Sequence, residues 1–114
     1  MLKGLGNLGD MAKMMKQATE MQGRFAALQE ELGRRRVSGE SGAGLVRATA
    51  TAKGDLTGLE IDPSIFKAED KEVVEDLILA AIKDVQAKAK ETMAAEMARL
   101  GEALGLPPGT KLPF

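Results

Sequence analysis

The chain has 114 residues, 44% of them hydrophobic and 29% charged, with a formal net charge of −1, which fits one globular domain without an overall bias toward polyanions. It contains no cysteine and no histidine, so a disulfide framework, thiolate chemistry and the usual general base are excluded. No apolar run approaches the roughly 20 residues of a membrane span, and the opening MLKGLGNLGD lacks the apolar core of a signal peptide, so a soluble cytoplasmic protein is expected.

Residues 1–9 hold Gly4, Gly6 and Gly9 with no usable period, and read as a flexible arm. Asp10 suits an N-cap. Met11, Met14, Ala18, Met21, Phe25, Leu28 and Leu32 then recur at alternating spacings of three and four, among Lys, Gln, Glu and Arg. That spacing predicts a helix over 10–33 with a coiled-coil-like stripe, weakened at Gly23 and stopped at Gly33.

The period then changes to two. Val46, Ala48, Ala50 and Ala52 share one face, while Leu45, Arg47, Thr49 and Thr51 share the other. Lys53-Gly54-Asp55 is turn chemistry, and Thr57, Leu59 and Ile61 read as the inner face of the next strand, with Glu60 outward. A shorter strand at Arg35–Ser38, joined through GESGAG, completes a three-stranded antiparallel meander over 35–62. Pro63 ends it, since proline cannot donate to a ladder.

A second helix is expected over 68–104. Its stripe is Val74, Ile78, Ala81 or Ile82, Val85, Ala89, Met93, Met97, Leu100 and Leu104. Glu69, Asp70, Glu72, Glu75 and Asp76 crowd its start, where the helix dipole favours negative charge. Gly105 and Pro107-Pro108-Gly109 end it, leaving 105–114 as an extended tail. At about 1.5 Å per residue this helix spans roughly 55 Å, whereas a strand of seven or eight residues spans about 25 Å. The helix must overhang its sheet with its apolar stripe still running. A second copy of the chain is the natural cover, so a homodimer is expected.

The residues of catalysis are missing. Ser38, Ser41 and Ser64 have no histidine to activate them, and Glu40, Asp55, Glu60 and Asp62 read as solvated edges and turns. No spacing suggests a metal site. Gly39, Gly42 and Gly44 lack the Gly-Lys-Ser/Thr ending and following helix of a phosphate loop, so a hairpin connection is the better reading. Neither an enzyme nor a cofactor is expected.

Charge is unevenly spread. Residues 1–37 carry seven basic and four acidic groups, residues 38–67 three and four, and residues 68–114 six and nine. The first helix is the basic part and ends in Arg34-Arg35-Arg36, a weak pointer to a polyanion. The three aromatics, Phe25, Phe66 and Phe114, are too few for a single-strand stacking platform. A duplex-backbone binder does not need them.

Four motifs, in order, resemble the YbaB/EbfC family of bacterial nucleoid-associated proteins. They are GESGAGLV (Gly39–Val46), LEIDPS (Leu59–Ser64), EDKEVVEDL (Glu69–Leu77) and the closing LPPGTKLPF; the opening LGNLGDMAKMMKQATEMQ is similar to that family's first helix as well. The resemblance covers essentially the whole chain. It implies an α+β fold of N-terminal helix, three-stranded antiparallel β-meander and long C-terminal helix (α-β-β-β-α), in a tweezer-like homodimer. It also implies duplex-DNA binding at the cytoplasmic nucleoid with weak sequence preference, and no catalytic residue or cofactor.

Because the net charge is slightly negative, any DNA surface must be local. The candidates, chosen on chemistry, are Lys13, Lys16, Arg24, Arg34, Arg35 and Arg36 on the first helix, with Lys83, Lys88, Lys90 and Arg99 on the second. The alternative function is a protein-interaction adaptor, whose Met and Ala stripes recruit partner proteins near DNA, such as those of replication or repair. No small-molecule substrate and no membrane partner is expected.

Overall fold

The computed structural model describes residues 2–105, with side chains from Leu8 onward. Helix α1 (Leu2–Arg34) leads into strands β1 (Arg36–Ser41), β2 (Val46–Thr51) and β3 (Leu56–Ile61). Two 3-10 turns (Pro63–Ile65 and Ala68–Asp70) then connect to helix α2 (Lys71–Ala103). The three strands form one antiparallel sheet in the order β1-β2-β3. The α-β-β-β-α architecture is therefore as expected.

Several boundaries are not. Helix α1 begins at Leu2 rather than Asp10, so residues 2–9 continue the helix instead of forming a flexible arm. Once the segment after Asp10 supplies a nucleus, each glycine costs only its propagation penalty. Gly33 lies inside the helix and is not a left-handed cap. The helix ends on the sheet instead: the Ala52 N–H donates to the Leu32 carbonyl at 3.1 Å and to the Arg35 carbonyl at 2.9 Å. Strand β1 covers Arg36–Ser41 rather than Arg35–Ser38, because Gly39–Ser41 pair with Val46–Ala48. Leu45 belongs to the turn, where Gly42, Ala43 and Gly44 all have positive φ. That turn is a hairpin connection. Helix α2 starts at Lys71 because the residues before it form the separate 3-10 turn. The tail from Leu106 lies outside the described residues.

The sheet's inner face follows the small-residue alternation. Val46, Ala48 and Ala50 are fully buried under α2 at Ala81 and Val85, with Val37, Ile61, Ile65, Leu77, Ile78 and Ile82 around them. Helix α2 lies across β1 and β2. Its approach to β1 is close enough that a Cβ on Gly39 would meet the Val85 backbone N at 2.3 Å. The Glu40 N–H donates to Asp84 Oδ2 at 2.9 Å and the Ser41 hydroxyl donates to the Leu77 carbonyl at 2.5 Å, which fixes the helix against the strand. The Glu40 N–H, and then the Lys88 ammonium, hold the Asp84 carboxyl below its usual range.

Thr57 is not an inner-face residue. A β-bulge at Thr49/Ala50 sets Leu56 opposite Ala50, and the Thr57 hydroxyl lies 3.2 Å from that of Thr49 on the outer face. Also on that face, Arg47 is in register with Glu40 and Glu60, and its guanidinium is 3.6 Å from Glu40. Those two carboxylates belong to a cross-strand charge row.

A second, smaller core joins the helices. Leu28, Leu32 and Ala52 are buried against Met93, Met97 and Leu100. Residues 8–20 of α1 project beyond it, exposed throughout. The molecule is accordingly 83 Å long and 22 by 17 Å across, with a radius of gyration of 21.9 Å. A compact domain of this length has about 13 Å. No described helix is long and apolar enough to cross a membrane.

Candidate nucleic-acid interface

At 3.6 residues per turn, Lys13, Lys16, Arg24 and Arg34 fall within an arc of roughly 80° on α1. All four are exposed. The apolar stripe of Met14, Met21, Phe25, Leu28 and Leu32 runs beside that arc; Leu28 and Leu32 pack in the small core, while Met14 is exposed. Arg24 also lines a groove with Met14, Met21 and Leu104, where α1 passes the end of α2.

The arginine cluster does not lie wholly on α1. Arg34 ends the helix, Arg35 is in the connection and Arg36 opens β1. Arg35 and Arg99 are committed to structure. Arg35 Nη1 donates to Glu96 Oε1 at 2.8 Å and Arg99 Nη1 approaches the same oxygen at 3.3 Å; the Glu96 side chain is only 12% exposed. This network ties the end of α1 to α2. A largely buried carboxylate stripped of Arg35 would lose its shorter ion pair.

The α2 candidates divide between two flanks. Lys88 is on the β1 side, paired to Asp84 at 3.1 Å. Lys83 and Lys90, two turns apart on one face, lie on the other. They line an open groove of about 630 Å³ together with Ala52, Lys53, Gly54, Gln86, Ala87, Ala89 and Met93. Lys53 is absent from the candidates that the sequence offers, because Lys53-Gly54-Asp55 reads locally as a turn. The signal exists only once the β2–β3 turn folds against α2. Among the described residues, Lys13, Lys16, Arg24, Arg34, Arg36, Lys53, Lys83 and Lys90 have no carboxylate within ion-pair distance.

The pattern is thus a set of uncommitted cations on an elongated helical frame. A model of the YbaB/EbfC DNA-binding family matches residues 7–104. The chain belongs to that family. A nucleoid-associated protein of Brucella anthropi is 48% identical over 105 residues, covering 92% of this chain and 98% of its own. One from Brucella ovis is 47% identical with the same coverage. The crystal structure of an uncharacterized protein from Helicobacter pylori matches with a TM-score of 0.69 at 24% identity, covering 78% of this chain and 94% of that one, and shares the fold. For a YbaB/EbfC member, the described residues contain no group of three or more carboxylates placed to hold a metal.

Proposed function

We propose that the chain is a nucleoid-associated protein that binds duplex DNA as a homodimer, in the cytoplasm at the nucleoid. Its basic side chains contact phosphates with little reading of base sequence. The observation that carries this is the family match over residues 7–104, and the relatives named nucleoid-associated proteins support it. The uncommitted cations on α1, at the β2–β3 turn and on one flank of α2 supply the phosphate contacts. Arg35, Lys88 and Arg99 serve the protein's own frame. In this reading the protein is not an enzyme and needs no cofactor.

The homodimer is supported by apolar surface that the protomer leaves uncovered. Leu56 and Leu59 on β3 are 50% and 47% exposed, and Leu79 on the neighbouring flank of α2 is 52% exposed. Helix α2 covers β1 and β2 and leaves this side bare. The heptad stripe of α1 also continues past its own core, through exposed Met14 and Met11. A paired frame sets two cationic helices on one duplex, and the second contact is made at high effective concentration.

Sedimentation equilibrium tests this. The wild-type chain is expected to be a dimer at micromolar concentration. A Leu59→Glu/Leu79→Glu variant is expected to be a folded monomer that binds duplex DNA at least about tenfold more weakly. A variant that stays dimeric removes this patch from the interface; a wild-type monomer overturns the dimer.

A further inference from the structure

We propose that the groove between the β2–β3 turn and α2 is a subsite for the sugar-phosphate backbone of duplex DNA, with Lys53, Lys83 and Lys90 as its cationic wall. This rests on the DNA-binding reading above and assigns it a place.

The groove's composition is the first ground. Its lining holds three lysines and one glutamine but no carboxylate. The chain as a whole has 17 acidic residues against 16 basic ones, so a lining whose charged groups are all cationic is not what average composition supplies. None of the three groove lysines has a carboxylate within 4.0 Å, among the described residues. Among the described residues Lys13, Lys16, Arg24, Arg34 and Arg36 are unpaired as well, whereas Arg35, Arg47, Lys71, Lys88 and Arg99 each have a carboxylate within 4.0 Å. Like charges gathered on one wall repel until an anion neutralises them.

Shape is the second ground. Ala52, Gly54, Ala87 and Ala89 leave a floor of small residues that a polymer backbone can approach closely. Lys83 and Lys90 are two helical turns apart, about 10.5 Å along the axis, which is the rise of about three nucleotides of one strand at 3.4 Å each. The Lys53 stem lies beside the end of α1, since its Cδ and Cε are 3.9 Å from where a Cβ on Gly33 would be. The end of the cationic α1 edge at Arg34 therefore adjoins the groove. Carboxylates of a second copy are the competing occupant. The lining favours DNA, because its charged groups are all lysines, which protein interfaces deplete and phosphates neutralise.

The test uses the full chain and a fluorescein-labelled 20-base-pair duplex, with affinity measured across a salt series. The groove variant is Lys53→Gln/Lys83→Gln/Lys90→Gln. The control, Arg47→Gln/Lys71→Gln/Lys88→Gln, removes equal charge from ion-paired positions. The groove variant is expected to lose about two to three from the slope of log affinity against log salt. It is also expected to bind at least about tenfold more weakly at roughly 0.1 M salt, with the control slope near wild type. Lys53→Glu alone, in an exposed turn, is expected to lower the slope by about one. Equal changes in both triple variants overturn the proposal. So does a groove variant that loses its dimer in sedimentation, which would seat a second copy there. A wild-type chain that binds no duplex is a different failure, seen before any variant is made; it overturns the DNA reading and this subsite with it.

Discussion

Replacing Gly39 by alanine is expected to destabilise the protein by about 3 kcal/mol or more and to lower its melting temperature by about 10 °C or more. The added Cβ would lie 2.3 Å from the Val85 backbone N, 2.7 Å from its Cα and 2.9 Å from the Asp84 carbonyl carbon. All three are backbone atoms of a long helix, so no side chain can rotate to make room. Relief requires α2 to lift from β1, which stretches the Glu40–Asp84 and Ser41–Leu77 hydrogen bonds and opens the main core around Val46, Ala48 and Val85. Gly58 is an internal comparison, because its Cβ would meet only the Thr49 hydroxyl at 2.7 Å, which can turn away. Gly23 has open space around it in α1. Gly23→Ala is expected to stabilise by up to about 1 kcal/mol. Thermal unfolding of the three variants gives the comparison directly. A Gly39→Ala protein melting within 2 °C or so of wild type would mean that the helix does not sit this close to the strand.

The second large effect is at Leu32. It is fully buried and forms the small core with Leu28 and Ala52 against Met93, Met97 and Leu100. Leu32→Ala is expected to cost about 2–5 kcal/mol, as truncations of buried leucine do. The consequence is more than a stability loss. This cluster and the Arg35–Glu96–Arg99 network are what orient α1, since residues 8–20 have no buried contact of their own in the protomer. Loosening it frees the helix that carries Lys13, Lys16 and Arg24. Hydrogen exchange gives the readout: the Ala52 amide, bonded to the Leu32 and Arg35 carbonyls, is expected to exchange faster in the variant than amides in the β1–β2 ladder. Equal acceleration throughout the sheet would show that the α1 joint has no stability of its own.

These two sites show how far the sequence could be read. The architecture was legible because its periods are clean. Val46, Ala48 and Ala50 alternate, Leu28 and Leu32 continue a heptad, and Val85 and Ala89 lie on the α2 stripe. The bulge was not legible, since a single extra residue at Thr57 preserves local composition while turning that side chain to the other face. Nor was the start of α1, where local glycine penalties in residues 4–9 are outweighed by propagation from the rest of the helix. Gly39 looked like loop chemistry because the atom that forbids a side chain there belongs to Val85, 46 residues away. The candidate interface follows the same pattern. Lys13, Lys16 and Arg24 share a helix edge that spacing alone reveals. The removal of Arg35, Lys88 and Arg99 into ion pairs, and the arrival of Lys53 beside Lys83 and Lys90, depend on packing between distant segments.

The proposed function depends on direct phosphate contact with duplex DNA. Fluorescence anisotropy of a labelled duplex, titrated with wild-type protein across a salt series and with unlabelled duplexes of different sequence as competitors, tests it most directly. The expected result is micromolar or tighter binding, with log affinity falling linearly with log salt by about 0.9 per phosphate contact, and competitors of equal strength. No binding at low salt, or binding indifferent to salt, would contradict it, and the exposed Met11, Met14 and Met15 surface of α1 would then point to an adaptor for partner proteins.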